Sequence, residues 1–328
     1  MTASVCIPAY NSASYVRECI ESVLAQTYQD FELIISDNCS TDRTWEIVQS
    51  YSDPRIRLTR ADQNRGMAHN FNQAVGMARG EYLKILCSDD VLHPRALELQ
   101  AKFLDEHQDA VLVTCARQFI DAQGRDLQIV RWFSRDIVLR GVDLKTVILL
   151  YGNVIGEPSA TLTRREAVVR AGPFKDGLST AIDLEMWLRV LDQGPGGYMA
   201  SSLCSIRRHP GMATQKYRKE GHIQDAVLRL TADLLGTMET GPLVRTIGFG
   251  RLAGAFVKHA LYGFAHGSFK GPLLTFWRAF KLDPGFLGLL IYLMLFRPGI
   301  LGLAADEKGR TRVHAGGTLR SLQDAVHD

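Results

Sequence analysis

Over the first 117 residues, short apolar runs alternate with amphipathic stretches, and nothing else in the chain constrains its fold so tightly. Residues 4–8, 31–36, 55–60, 82–87 and 110–116 read as strands. Residues 14–26, 43–50, 67–78 and 94–107 have helical spacing, the first with Val16, Ile20, Val23 and Leu24 apolar. Strands joined through helices need crossover connections, so a mainly parallel α/β sheet flanked by helices is expected. Periodicity weakens over 118–138. A second block follows, with a helix at 142–151, a loop at 152–158, a strand at 159–163, a helix at 181–191 and a strand at 198–207. Beyond Gly211 the pattern is mostly helical, broken at Pro242, Pro272, Pro284 and Pro298, and it is polar from Asp306 onward. The expected organisation is an α/β domain over 1–211 in two halves (1–117 and 118–211), a helical region over 212–305 and a polar tail over 306–328.

Composition narrows the class. With 46% hydrophobic and 22% charged residues, global disorder is excluded. Six cysteines are scattered without a C-x-x-C pair, which argues against a cysteine zinc site or a disulfide framework and suits a reducing compartment. No basic segment followed by an apolar core precedes the first strand, so no secretory leader is expected.

Polar residues recur after the strands. In open α/β sheets that edge is where ligands bind. The fourth run ends in Cys87-Ser88-Asp89-Asp90. Paired carboxylates there can hold a hard divalent cation that bridges to phosphates, although Asp90 could equally cap the next helix. The first run ends in Pro8-Ala9-Tyr10-Asn11, a candidate clasp for a base or simply a strand-to-helix turn. After the second, Asp37 can accept from a base N–H or a ribose hydroxyl, while Ser40-Thr41-Asp42 also reads as a turn and helix cap. After the third, Asn64-Arg65-Gly66 opens a helix that carries Asn72, and a helix N-terminus there favours phosphate or is only capped.

Taken in order, these motifs resemble the family 2 inverting glycosyltransferases of GT-A fold. The resemblance rests on Pro8-Ala9-Tyr10-Asn11, Asp37 to Thr44, Asn64-x-Gly66, and Ala78 to Tyr82 followed by Ser88-Asp89-Asp90. It continues from Asp183 to His209. It implies that Pro8, Tyr10, Asn11, Asp37, Asn64, Gly66, Asn72, Ser88 and Asp89 bind a nucleotide-diphosphate sugar. It also implies that Asp90 and Asp89, with His209, hold Mg²⁺ or Mn²⁺. Many members carry an acid where Cys87 stands, and a thiol is a poor ligand for either ion. The segment Ile182-Asp183-Leu184-Glu185-Met186-Trp187 resembles the family's E-D-x-x-x-W helix, with Asp183 as the base that deprotonates an acceptor hydroxyl. Ile182 replaces the family's usual acid, and Glu185 is the nearest substitute. Glu157, Glu185, Trp187, Arg207 and Arg208 are candidate acceptor or phosphate contacts.

The region from Pro242 to Ile300 carries seven Lys or Arg against Asp283 alone, and it is also the most apolar part of the chain. Its apolar run 286–296 is too short to span a bilayer. Basic, aromatic-rich helices can lie on an anionic membrane surface, or this region can be a helical cap. The resemblance implies a transferase that uses a UDP-sugar, and the basic apolar region places it as peripheral on the cytoplasmic membrane face. Its acceptor would be a saccharide or polyprenyl-linked saccharide in surface polysaccharide or glycolipid synthesis, and no nucleic acid partner is expected. A nucleotidyltransferase would need a Gly/Lys triphosphate loop after strand one, and a dehydrogenase a G-x-G-x-x-G; neither is present. A non-catalytic scaffold on the same fold is the remaining alternative.

Overall fold

The computed structural model describes residues 2–178, 181–214, 222–238, 245–251 and 254. The chain divides into two compact units, 1–144 with 153–219, and 145–152 with 220–328.

The first unit is built on one sheet. Its strands are β1 (Ala3–Ala9), β2 (Phe31–Asp37), β3 (Ile56–Arg60), β4 (Tyr82–Ile85), β5 (Val91–Leu92), β6 (Leu112–Ile120), β7 (Asp126–Val130), β8 (Ile137–Leu139), β9 (Leu162–Arg164) and β10 (Gly196–Arg207). They run in the order β3-β2-β1-β4-β9-β6-β10-β5. The half that carries the motifs, β3-β2-β1-β4, is entirely parallel, as is the long β6–β10 pair. Short antiparallel strands fill the remainder: β9 between β4 and β6, β7 on β6, and β5 and β8 on β10. The expected α/β sheet, mainly parallel and flanked by helices, is the one observed.

β1 and β2 are buried on both faces, which is why they read as continuous apolar runs. The acid inside β2, Glu32, is neutralised where it lies. It accepts from Ser4 Oγ at 2.6 Å and Arg79 N at 2.7 Å, and pairs with Arg57 at 2.7 Å. Helix α1 (Val16–Leu24) buries Val16, Cys19, Ile20 and Val23, the i, i+3, i+4, i+7 spacing of one helix face. Helices α2 (Thr44–Gln49), α3 (Met67–Gly76) and α4 (Ala96–Glu106) complete the crossovers. Pro8 ends pairing on one side only. β1 stays in register with β2 through Ala9↔Asp37, whereas its register with β4 stops at Cys6↔Ile85. Cys6 O accepts Leu86 N at 2.9 Å on that side, and strand alternation points the missing N–H of Pro8 the same way.

Four elements differ from expectation. The region 118–138 is a continuation of β6 plus β7 and β8, and β7 is almost fully exposed. The expected strand at 159–163 begins as a 3-10 turn, Pro158–Ala160, and extends only from Leu162 to Arg164. A short helix α6 (Arg165–Ala171) follows it, and the two-residue β5 follows the paired acids. Helices α5 (Gly141–Tyr151) and α7 (Ile182–Val190) lie where expected.

In the second unit, α8 (His222–Thr237) and a helical stretch at 245–251 accompany the end of α5. Arg251 Nη1 donates to Leu149 O at 2.7 Å and to Ile148 O at 3.1 Å, the latter also accepting Gly152 N at 2.9 Å, and so reinforces the last turn of α5. The apolar run 286–296 and most of the basic region lie outside the described residues. Among the described residues no helix is long and apolar enough to cross a membrane.

Candidate active site at the carboxyl edge of the sheet

Three polar clusters meet the ends of these strands. The first surrounds Asp37, the last residue of β2, which is fully buried. Its carboxylate accepts from Ser40 N at 3.1 Å and from Ser40 Oγ, and pairs with Arg60 Nε at 3.1 Å. Arg60 lies 5.3 Å over the Trp45 ring. Asn11 takes φ +49°, a left-handed conformation that Asn tolerates. Its N donates to Ser40 Oγ at 2.9 Å and its Oδ1 accepts Thr41 N at 2.9 Å. Asn64 Oδ1 accepts from Gly66 N and Asn38 Nδ2, both at 2.9 Å, and Gly66, at φ +89°, precedes α3. Tyr10 is 43% exposed beside this group.

The second cluster is the turn Cys87-Ser88-Asp89-Asp90, closed by Asp90 N donating to Cys87 O at 3.0 Å. Strand β4 stops at Ile85 because Cys87 N turns away to donate to Ser159 Oγ at 3.0 Å. Ser159 Oγ in turn donates to Asp90 Oδ2 at 2.5 Å, and Arg207 N donates to Asp90 Oδ1 at 2.9 Å. Asp90 is 2% exposed, and burial, then the adjoining Asp89, pushes its carboxyl well above the usual range. Asp89 Oδ2 meets His209 Nε2 at 3.0 Å, and the imidazole packs 4.5 Å from the Tyr15 ring. Ser88 Oγ shares a 2.6 Å hydrogen bond with Ser12 Oγ, joining this turn to the end of β1. The Cys87 sulfur and carboxylate oxygens of Asp89 and Asp90 lie within 4.8 Å of one another, a spacing and donor set that fit one divalent ion.

The third cluster gathers Asp183 and Glu157. Asp183 sits in the first turn of α7, accepts from Leu184 N at 2.7 Å and is buried. Burial pushes its carboxyl up to about 7, and the charge of nearby Glu157 adds to the rise. Glu157 is held by Arg117 at 3.1 Å and Arg208 at 3.4 Å. Arg208 also lies 4.3 Å over the Phe119 ring. Arg117, a buried cation in the middle of β6, escaped the sequence reading; its one signal was a charge in an otherwise apolar run. It lies flat against Gly156, whose φ is +88° and where an added Cβ would stand 1.3 Å from Arg117 Nη1. Gly156→Ala should therefore cost about 2–3 kcal/mol and release Glu157. Urea denaturation checks this, and an unchanged midpoint would show that Arg117 has room to move.

Four candidates have other partners here. Asn72 Nδ2 donates to Phe174 O at 2.9 Å while its Oδ1 accepts Phe174 N at 2.8 Å. Trp187 is buried against Phe174. For Glu185, burial opposes the charge, yet Arg189 and Lys175, both at 2.7 Å, hold its carboxyl below the usual range. The Arg207 guanidinium is internal: it donates to Asp89 O at 2.9 Å and Glu18 Oε2 at 2.6 Å, and lies over Tyr15. It thus orders the acidic turn, α1 and the end of β10 together.

The sheet, with acids gathered beyond β2 and β4, is a GT-A arrangement. S. aureus TarS residues 1–349, solved with UDP-GlcNAc, superpose with a TM-score of 0.66 at 20% identity, over 85% of this chain and 79% of that one. The mannosyltransferase PcManGT of Pyrobaculum calidifontis, solved with GDP-Man and Mn²⁺, gives 0.55 at 17% identity, over 98% and 87%. The glycosyl transferase family 2 model matches residues 4–169, and the chain belongs to that family. Escherichia coli chondroitin synthase is 32% identical over 230 residues, 67% of this chain and 31% of that one. Two further curated relatives are spanned over 24% and 66% of their length.

Proposed function

We propose that the chain transfers a sugar, with inversion, from a nucleotide-diphosphate sugar to a hydroxyl of a saccharide or polyprenyl-linked saccharide. The observation that carries this reading is Asp183, a buried carboxylate with a carboxyl near 7, poised on a helix beside the acidic turn. Inversion in one displacement needs a single base and no enzyme nucleophile, and a carboxylate that ionises near neutrality suits that task. Asp37, Asn11, Tyr10, Pro8, Asn64 and Gly66 would surround the base and ribose, with Ser88 and Asp89 beside the sugar. A UDP-sugar is favoured because the TarS structures carry UDP and UDP-GlcNAc. A hexosyl or N-acetylhexosaminyl group fits that choice. Asp90 and Asp89, with His209, would hold Mg²⁺ or Mn²⁺, which when bound stabilises charge on the leaving diphosphate. Glu157 and Arg208 would meet the acceptor. Asn72 and Arg207 would act by positioning rather than by touching the donor.

On this reading residues 1–211 form the catalytic domain, 212–305 a basic apolar region and 306–328 a tail. The basic region would hold the enzyme on the cytoplasmic membrane face, where a lipid-linked acceptor in polysaccharide or glycolipid synthesis is presented. Calorimetry with UDP, GDP and dTDP, in Mn²⁺ and then in EDTA, tests the donor. UDP should bind in Mn²⁺ and weaken by at least about tenfold in EDTA. Tighter binding of GDP would reassign the nucleotide, and no binding of any of the three by folded protein would return the chain to a scaffold role.

A further inference from the structure

The cation nearest the acidic turn, Arg207, bonds the Asp89 carbonyl and not a carboxylate. Asp89 and Asp90 are adjacent and Asp90 is buried, yet among the described residues no Lys or Arg side chain pairs with either carboxylate; only His209 reaches Asp89. Two neighbouring carboxylates with one in low dielectric need a compensating positive charge. The third donor facing them is sulfur. The turn closed by Asp90 N and Cys87 O brings the Cys87 side chain back toward the Asp90 carboxylate, and Ser159 braces both residues at once. A set of one sulfur, two carboxylates and a neighbouring imidazole is not the all-oxygen set that Mg²⁺ selects. It matches a borderline or soft divalent ion.

We propose that Cys87 is itself a metal ligand and tunes this site toward thiophilic ions such as Co²⁺, Zn²⁺ and Cd²⁺ at the expense of Mg²⁺. The inference rests on the metal-dependent reading above and deepens it. As the sulfur–metal bond forms, the thiol proton passes to solvent, so the bound state carries a thiolate. The other cysteines are poor competitors: Cys6, Cys19, Cys115 and Cys204 are buried, and Cys39 directs its sulfur to Asp62 O.

The test is spectroscopic and needs no turnover. The full chain is titrated with Co²⁺ and with Cd²⁺, alone and with UDP, and the ultraviolet thiolate-to-metal charge-transfer band is followed. The band should appear in wild type and in Cys39→Ser, and vanish in Cys87→Ser. By calorimetry, the preference for Cd²⁺ over Mg²⁺ should fall at least about tenfold in Cys87→Ser, while Mn²⁺ binding persists and shows that the variant is folded. Cys87→Asp should shift the preference back toward Mg²⁺. A wild type that binds Mn²⁺ without ever showing the band would overturn the sulfur ligand and leave the carboxylate site standing. A band that survives in Cys87→Ser would assign it to another cysteine. Failure of every ion to bind, with and without UDP, would remove the metal reading and this inference with it.

Discussion

Asp183→Asn should lower turnover by about three orders of magnitude while leaving nucleotide binding within about twofold of wild type. The substitution keeps the shape and an oxygen to accept Leu184 N, so the fold has no reason to change. It removes only the ability to take a proton. The pH profile supplies an independent check. A base works when ionised, and the Asp183 carboxyl titrates at about 7 rather than in the ordinary carboxylate range. Wild-type kcat/KM should therefore climb about tenfold per pH unit below that value and level above it, and the residual rate of Asp183→Asn should lack this limb. Full activity in the variant would remove Asp183 from the mechanism.

Asp90→Asn carries the second large expectation, and its two effects have opposite signs. Metal-dependent UDP binding should weaken by on the order of a hundredfold, because a charged ligand becomes neutral. Folding stability at neutral pH in EDTA should not fall, and should rise. The native carboxyl is raised above its unfolded value by burial and by Asp89, so its ionised form opposes folding at every pH above the ordinary carboxylate range. An amide removes that cost. The variant can still accept Arg207 N, and Ser159 Oγ can turn from donor to acceptor. Chemical denaturation and calorimetry on the same preparation separate the two effects. A marked loss of stability would show that the carboxylate is a structural brace first.

The legible part of this chain was the part where burial and period coincide. β1, β2 and β4 are buried on both faces and α1 shows one clean apolar stripe, so their positions follow from the residues alone. β7 was not legible because its residues are exposed and it is held by its pairing with β6, a contact no local pattern records. α6 has seven residues and buries only Ala167 and Val168, too few to set a period. The acids after the strands could be named from sequence, but their state could not. That Asp90 is buried and Asp89 only partly so depends on Ser159 and Arg207, which come from 69 and 117 residues away. Arg117 shows the same limit: its meaning appears only when Gly156 and Glu157 lie against it.

The paired hydrogen bonds between Asn72 and Phe174 bear on how such an enzyme can be re-engineered. They join side chain to backbone across 102 residues, from α3 to the segment between α6 and α7. An Asn at that position can bond any residue but proline at the other end, since only the main-chain N–H and C=O of 174 take part. A chimera that joins a relative's residues beyond 117 to this chain's first 117 would thus keep the clasp if Asn72 is retained, provided the side chain at 174 still fits against Phe71 and Trp187. Replacing Asn72 with Ala in such a hybrid would remove this clasp and leave the shared sheet, in which β6 crosses residue 117 and β4 pairs with β9, to set the registration alone.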